Sequence, residues 1–220
     1  MTTITRQTKA YLNRKVVLCF GDSNTFGQRP DSDERFDENT RWTCQLQRLV
    51  TDSFYVVEEG LGGRTVDRDR AGEDGFIKNG WTYFQPCLRS HCPDVVIITL
   101  GTNDCQIQYE KTAPMIATSL EKYIDVARQS GASRVLLVAP APIDSSKLLD
   151  PATGVSDRGT FDRHSVEISK ILPVELRKVA EKHRVDYIDT SDYVSLGQDG
   201  LHWDEPSHAR FAEAIAQWLD

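Results

Sequence analysis

Val16-Val-Leu-Cys-Phe-Gly-Asp-Ser-Asn-Thr25 is the stretch on which the fold turns. Its first part, Val16 to Phe20, is a short apolar, β-branched run closed by Gly21, the pattern of a strand buried on both faces. Similar runs lie at Tyr55 to Glu58, Val95 to Leu100 and Arg134 to Ala139, with a weaker one at Val185 to Ile188. Between them the apolar residues follow helical spacing: Trp42, Leu46, Leu49 and Val50; Trp81, Phe84 and Leu88; Ile116, Leu120, Ile124 and Ala127; Leu176, Val179 and Ala180; Phe211, Ile215 and Leu219. Strand and helix alternate along the chain. Right-handed crossovers then give an α/β fold with a central five-stranded parallel sheet covered by helices on both faces.

Helix-to-strand turns read as short, as at Thr51 to Ser53, His91 to Pro93, Ser130 to Ser133 and His183 to Arg184. Strand-to-helix connections read as long, from Gly21 to Asn39, Gly60 to Asn79, Gly101 to Ala113 and Ala141 to Thr160. The long loops thus leave the carboxyl ends of the strands, where open α/β sheets build ligand crevices. No repeat or Pro/Gly-rich linker divides the 220 residues, so the expectation is one domain over 15–220 after a tail at 1–14.

Composition narrows the function classes. A net charge of -7, with Lys and Arg scattered, argues against nucleic acid as a partner. The longest apolar stretches fall far short of the ~20 residues of a spanning helix, and the region from Met1 to Lys15 leads into no signal-peptide segment. Five cysteines, Cys19, Cys44, Cys87, Cys92 and Cys105, form no C-x-x-C pair, which points to reduced thiols and a cytoplasmic location. No cluster suggests a metal, and no cofactor is expected.

Ser23 falls in a tight turn at the carboxyl edge of the first strand. At this point two functions fit it equally: a nucleophile beside its own oxyanion donors, or the serine of an anion-binding loop. The choice depends on a base, and there are five histidines. His91 and His183 fall at helix C-termini on the short-turn side, while His164 and His208 read as surface residues. His202 stands apart, because Asp199-Gly-Leu-His202 places a carboxylate three residues before an imidazole in a loop after the last strand. Such an aspartate can accept the Nδ1 proton and leave Nε2 free to take the serine proton, although Asp189 is a competing candidate for the acid. Asn103, in Leu100-Gly-Thr-Asn-Asp104, brings a side-chain amide to the same edge, and Gly63 offers an unencumbered backbone N–H. The donors expected to converge are the N–H of Ser23, the N–H of Gly63 and the Asn103 amide.

Gly21-Asp-Ser-Asn24, the turn containing Gly63, Gly101-Thr-Asn-Asp104 and Asp199-Gly-Leu-His202 resemble the four marker blocks of the SGNH hydrolases, or GDSL-type esterases, in family order. The resemblance implies a flavodoxin-like three-layer α/β/α sandwich and a serine esterase mechanism without metal or cofactor. It implies Ser23 as nucleophile, His202 as base, Asp199 as its partner, and Ser23, Gly63 and Asn103 as the oxyanion hole. Arg41-Trp-Thr43, Glu58-Glu-Gly-Leu61, Arg64-Thr65 and Pro140-Ala-Pro142 are similar to the bacterial arylesterase and acyltransferase branch, which is intracellular and forms oligomers up to octamers. That branch often has Ser-Ala where this chain has Gly62-Gly63, so the turn around Gly63 is looser here.

The expected substrate is a small ester with a short, acetyl-type acyl group or an aryl alcohol, cleaved through an acyl-serine with water or another alcohol as acceptor. Asp22, Phe26, Leu61, Ile143 and Trp203 are the expected substrate contacts, whereas Trp42 begins a helix with regular apolar spacing and reads as core. The charged stretch from Arg64 to Asp74 reads as a solvated face; were it instead part of a pocket, carbohydrate O-acetyl esters would be the alternative substrates. The rivals of another class are a non-catalytic nucleotide or phosphate-binding module and a degenerate scaffold. The chain lacks a Gly-x-x-x-x-Gly-Lys-Ser/Thr loop, and neither rival needs Asp199 beside His202. An α/β-hydrolase elbow is disfavoured because Thr25 stands where its second glycine belongs.

Overall fold

The computed structural model describes residues 13–69 and 75–220; residues 1–12 of the expected tail, and 70–74 of the expected solvated stretch, lie outside them. Along the chain run β1 (Lys15–Gly21), α1 (Ser23–Phe26), α2 (Trp42–Leu49), β2 (Phe54–Gly60), α3 (Gly80–His91), β3 (Val95–Thr99), α4 (Ala113–Gln129), β4 (Arg134–Ala139), α5 (Ser145–Leu148), α6 (Arg163–His183), β5 (Asp186–Asp189) and α7 (Glu205–Leu219). The strands form one five-stranded sheet in the order β2-β1-β3-β4-β5, and every pairing is parallel. This is the flavodoxin-like winding, in which the order reverses between β1 and β3. In folds of this winding, ligand crevices form at the carboxyl edge between the loops that follow those two strands.

The alternation along β1 divides the core in two. Val16, Leu18 and Phe20 face a cluster built with Phe84 and Leu88 of α3, Ile116 and Leu120 of α4, and Leu172 and Leu176 of α6. Val17 and Cys19 face Trp42 and Leu46 of α2 and Phe211 and Ile215 of α7. Both faces are apolar because helices cover both, which is why the strands read as unbroken hydrophobic runs. Each fully buried Leu, Ile or Phe contributes about 1.5–3 kcal/mol of transfer free energy, so the sandwich is held chiefly by these two layers.

The strand and helix assignments hold with end shifts of a residue or two, as at β5, which starts at Asp186. Trp42 is core, as expected. Leu49 is not: it is 54% exposed, on the outer side of α2.

His208 corrects the surface expectation, being fully buried. The reason is spacing, since residues 208, 211, 212, 215 and 219 make one stripe of α7, all of them buried. The His208 ring packs 5.2 Å from Phe36 and 5.6 Å from Trp203, and its Nδ1 accepts the backbone N–H of Trp42 at 3.3 Å. Burial pushes its pKa down to about 4. The unfolded chain therefore takes up this proton first as the medium is acidified. The stability tied to neutral His208 is intact above the ordinary pKa of about 6.5 and is lost as pH falls toward 4, by on the order of 3 kcal/mol. In His208→Gln, urea unfolding at a series of pH values should show lower stability at pH 7 and a flatter slope between pH 6.5 and 4. Parallel slopes in the two proteins would refute the assignment.

Candidate active site

Ser23 is the first residue of α1, directly after β1, and is 8% exposed. Asp22 caps this short helix, its carboxylate accepting the N–H of Asn24 at 3.1 Å, and Gly27 closes it at φ 85°. Burial pushes the Asp22 carboxyl up to about 6.

His202 and Asp199, the expected base and acid, come from the loop between β5 and α7. His202 Nε2 lies 2.9 Å from Ser23 Oγ, and His202 Nδ1 lies 2.5 Å from Asp199 Oδ2. Asp199 Oδ1 accepts the backbone N–H groups of Leu201 at 3.0 Å and His202 at 2.9 Å. Half-burial opposes the charge on Asp199, but the His202 ring and these two amides hold its carboxyl below the usual carboxylate range. Asp189, the competing acid, instead caps Ser191 at 3.0 Å. The three side chains thus form a Ser–His–Asp row able to pass the hydroxyl proton to an imidazole whose other nitrogen is fixed.

Asn103 stands in the short 3-10 turn after β3. Its Nδ2 donates one hydrogen to the carbonyl of Arg64 at 3.1 Å, and its Oδ1 accepts from Gln106 Nε2 at 3.3 Å. That pairing fixes which end of the amide is the donor and leaves one N–H uncommitted. Gly63 has φ 76°, which a side chain would resist, and neither its N–H nor that of Ser23 has a hydrogen-bond acceptor among the described residues.

The structure overturns the solvated reading of Arg64 to Val66, all three of which are buried. The Arg64 guanidinium lies 4.1 Å over the Phe20 ring and donates to the carbonyls of Gly21, at 2.9 Å, and Glu59. Since Arg64 also receives Asn103 on its own carbonyl, one residue joins the loops after β1, β2 and β3. Asp104 is fully buried, accepting the N–H of Val66 at 2.9 Å and Lys111 Nζ at 3.1 Å; Lys111 in turn pairs with Asp67 at 2.5 Å. Burial pushes the Asp104 carboxyl up to about 6 against the pull of Lys111. Sequence reading missed Asp104 and Lys111 as site supports; the signal available was a second polar residue directly after Asn103, in a turn with no need of it.

The model of the GDSL-like lipase/acylhydrolase family matches residues 19–214, which takes in the whole row from Ser23 to His202. The chain belongs to this family. A carbohydrate acetylesterase from Sinorhizobium meliloti, Est24, is similar at 33% identity and TM-score 0.81, covering 94% of this chain and 98% of that one. The aryl esterase of M. smegmatis is similar at 32% identity and TM-score 0.78, over 93% and 98% of the two chains. An acetylxylan esterase of Xylanibacter ruminicola is 24% identical over 91% of this chain, which spans only 42% of that relative.

Within this GDSL-type frame the expected substrate contacts separate. Phe26 and Leu61 are partly exposed at the active edge. Trp203, at 1% exposure, packs 4.9 Å from Phe211 in the core, and Ile143 is buried with its N–H on Ser169 Oγ at 3.0 Å. Asp22 is buried as the helix cap. These three lie in the interior behind the loop tips, while Phe26 and Leu61 reach the surface of the same edge.

Gly60 sets the height of the Ser23 turn. A Cβ there would run into the backbone of Thr25 and Phe26, which cannot rotate away. Gly60→Ala should lower stability by about 1–3 kcal/mol by thermal unfolding and reduce esterase turnover by displacing α1. A folded variant with unchanged melting and turnover would contradict that contact.

Proposed function

We propose that the chain is a serine esterase acting on short-acyl, acetyl-type and aryl carboxylic esters. The single observation that carries this reading is the continuous row Ser23 Oγ, His202 Nε2, His202 Nδ1, Asp199 Oδ2 with contacts of 2.9 Å and 2.5 Å. Ser23 Oγ attacks the ester carbonyl as His202 Nε2 takes its proton, and the ionised Asp199 stabilises the imidazolium that forms. The carbonyl oxygen, now negative, is held by the free N–H of Asn103 and the backbone N–H groups of Ser23 and Gly63. His202 returns the proton to the departing alcohol, leaving an acyl-serine. It then deprotonates a water, or a second alcohol, which releases the acid or a new ester. No metal enters any of these steps.

Carbohydrate O-acetyl esters are the second reading, favoured by the similarity to Est24 and to the acetylxylan esterase. Comparing phenyl acetate with an acetylated xylo-oligosaccharide separates them: a higher kcat/KM on the sugar ester assigns the second. A phosphate- or nucleotide-binding module has no use for a base aligned on Ser23, so it is set aside. None of the described helices is long and apolar enough to cross a membrane. The five cysteines are unpaired, which supports a cytoplasmic site of action. Assembly into homo-oligomers, as in the arylesterase branch, is part of the same reading.

With p-nitrophenyl acetate, Ser23→Ala should lose at least roughly 10³-fold in kcat while circular dichroism remains native. Asn103→Ala should lose on the order of 10²–10³-fold in kcat. Appreciable turnover by folded Ser23→Ala would reject the mechanism.

A further inference from the structure

We propose that Asn24 is a positioning residue for the base: it suspends His202 from both sides and so couples the place of the imidazole to the place of Ser23. The inference rests on the esterase reading for its catalytic consequence and on geometry for its substance. Asn24 Nδ2 donates to the carbonyl of Leu201 at 3.3 Å, and Asn24 Oδ1 accepts the N–H of Trp203 at 3.0 Å. These are the backbone groups immediately before and after His202. One primary amide, with its donor and acceptor ends both used, therefore grips the residue that carries the ring.

Asn24 is itself rigid. It is buried, it follows Ser23 in α1, and its own N–H is held by Asp22 at 3.1 Å. Any shift of α1 thus moves the nucleophile and the base together. Asp199 fixes the Nδ1 side of the ring and the N–H groups of residues 201 and 202. Among the described residues its hydrogen bonds all fall within its own loop, so it orients the imidazole without locating it against Ser23. Asn24 supplies that missing link between segments 179 positions apart.

In this chain the two contacts use the donor and the acceptor of an amide. The family's own name spells leucine at this place in its Gly-Asp-Ser-Leu block, and leucine has neither donor nor acceptor. A carboxylate would keep the bond to the Trp203 N–H, face the Leu201 carbonyl as a second acceptor, and add a negative charge beside the imidazole.

The test compares wild type, Asn24→Ala and Asn24→Asp in p-nitrophenyl acetate hydrolysis, each checked for native circular dichroism and measured well below its melting point. Asn24→Ala should lose on the order of 10–100-fold in kcat with KM changed by less than about threefold, since a misplaced base slows chemistry and leaves binding intact. Asn24→Asp should move the acid limb of the kcat/KM profile upward by about half a pH unit or more, which loss of packing alone would not do. A readout independent of turnover is the downfield proton resonance of the His202–Asp199 hydrogen bond, expected sharp in wild type and broadened or lost in Asn24→Ala. Variants with wild-type kcat and an unmoved acid limb overturn the inference, as does a loss confined to KM. Should wild type cleave no ester, the esterase reading fails, and the resonance decides alone: unchanged in folded Asn24→Ala, it overturns the positioning role; lost, it upholds it.

Discussion

β1 lies between β2 and β3, and the whole active edge depends on that placement. In a parallel sheet all strands end on the same side, so a central strand delivers its following loop between the loops of its two neighbours. Ser23 after β1, Gly63 after β2 and Asn103 after β3 therefore leave the sheet on the same side, on neighbouring strands. β1 holds its place because both of its faces are apolar and both are covered.

The loops at the carboxyl edge are stiffened by charge buried among them. Arg64 fills the space above Phe20 and caps carbonyls at the ends of β1 and β2; Asp104 and Lys111 fasten the next turn to the loop that carries Gly63. Removing such groups from water is costly, and the hydrogen bonds they make offset the cost only while the geometry is kept. These groups therefore contribute less to net stability than to holding the donors at the edge of the sheet in one arrangement.

The fold was legible because buried parallel strands announce themselves as apolar runs and the covering helices as stripes. Ser23, Asp199 and His202 stood out because their chemistry is rare at loop positions after strands, and the structure sets them within hydrogen-bond reach of one another. What the sequence hid was the interior of the loops. Arg64 looks like surface charge until its partners at the ends of β1 and β2 are in place. His208 hid for another reason: one polar residue on an apolar stripe reads as the start of a solvated turn when its polar neighbours outnumber the stripe. Trp203 and Ile143 are buried, since proximity in sequence to a loop edge says nothing of which way a side chain turns.

The span from Ser23 to His202 also has a meaning in time. During synthesis β1 and its serine emerge early, and the loop that carries Asp199 and His202 comes only after β5 has been made and added to the sheet. Until then the Ser23 hydroxyl lacks the His202 imidazole and the Asn24 amide lacks its two backbone partners, so on the proposed reading an incomplete chain carries an inert serine. On that reading, joining residues 23 and 202 is the step that makes the serine reactive, and the reagent is armed only when the sheet beneath it is complete.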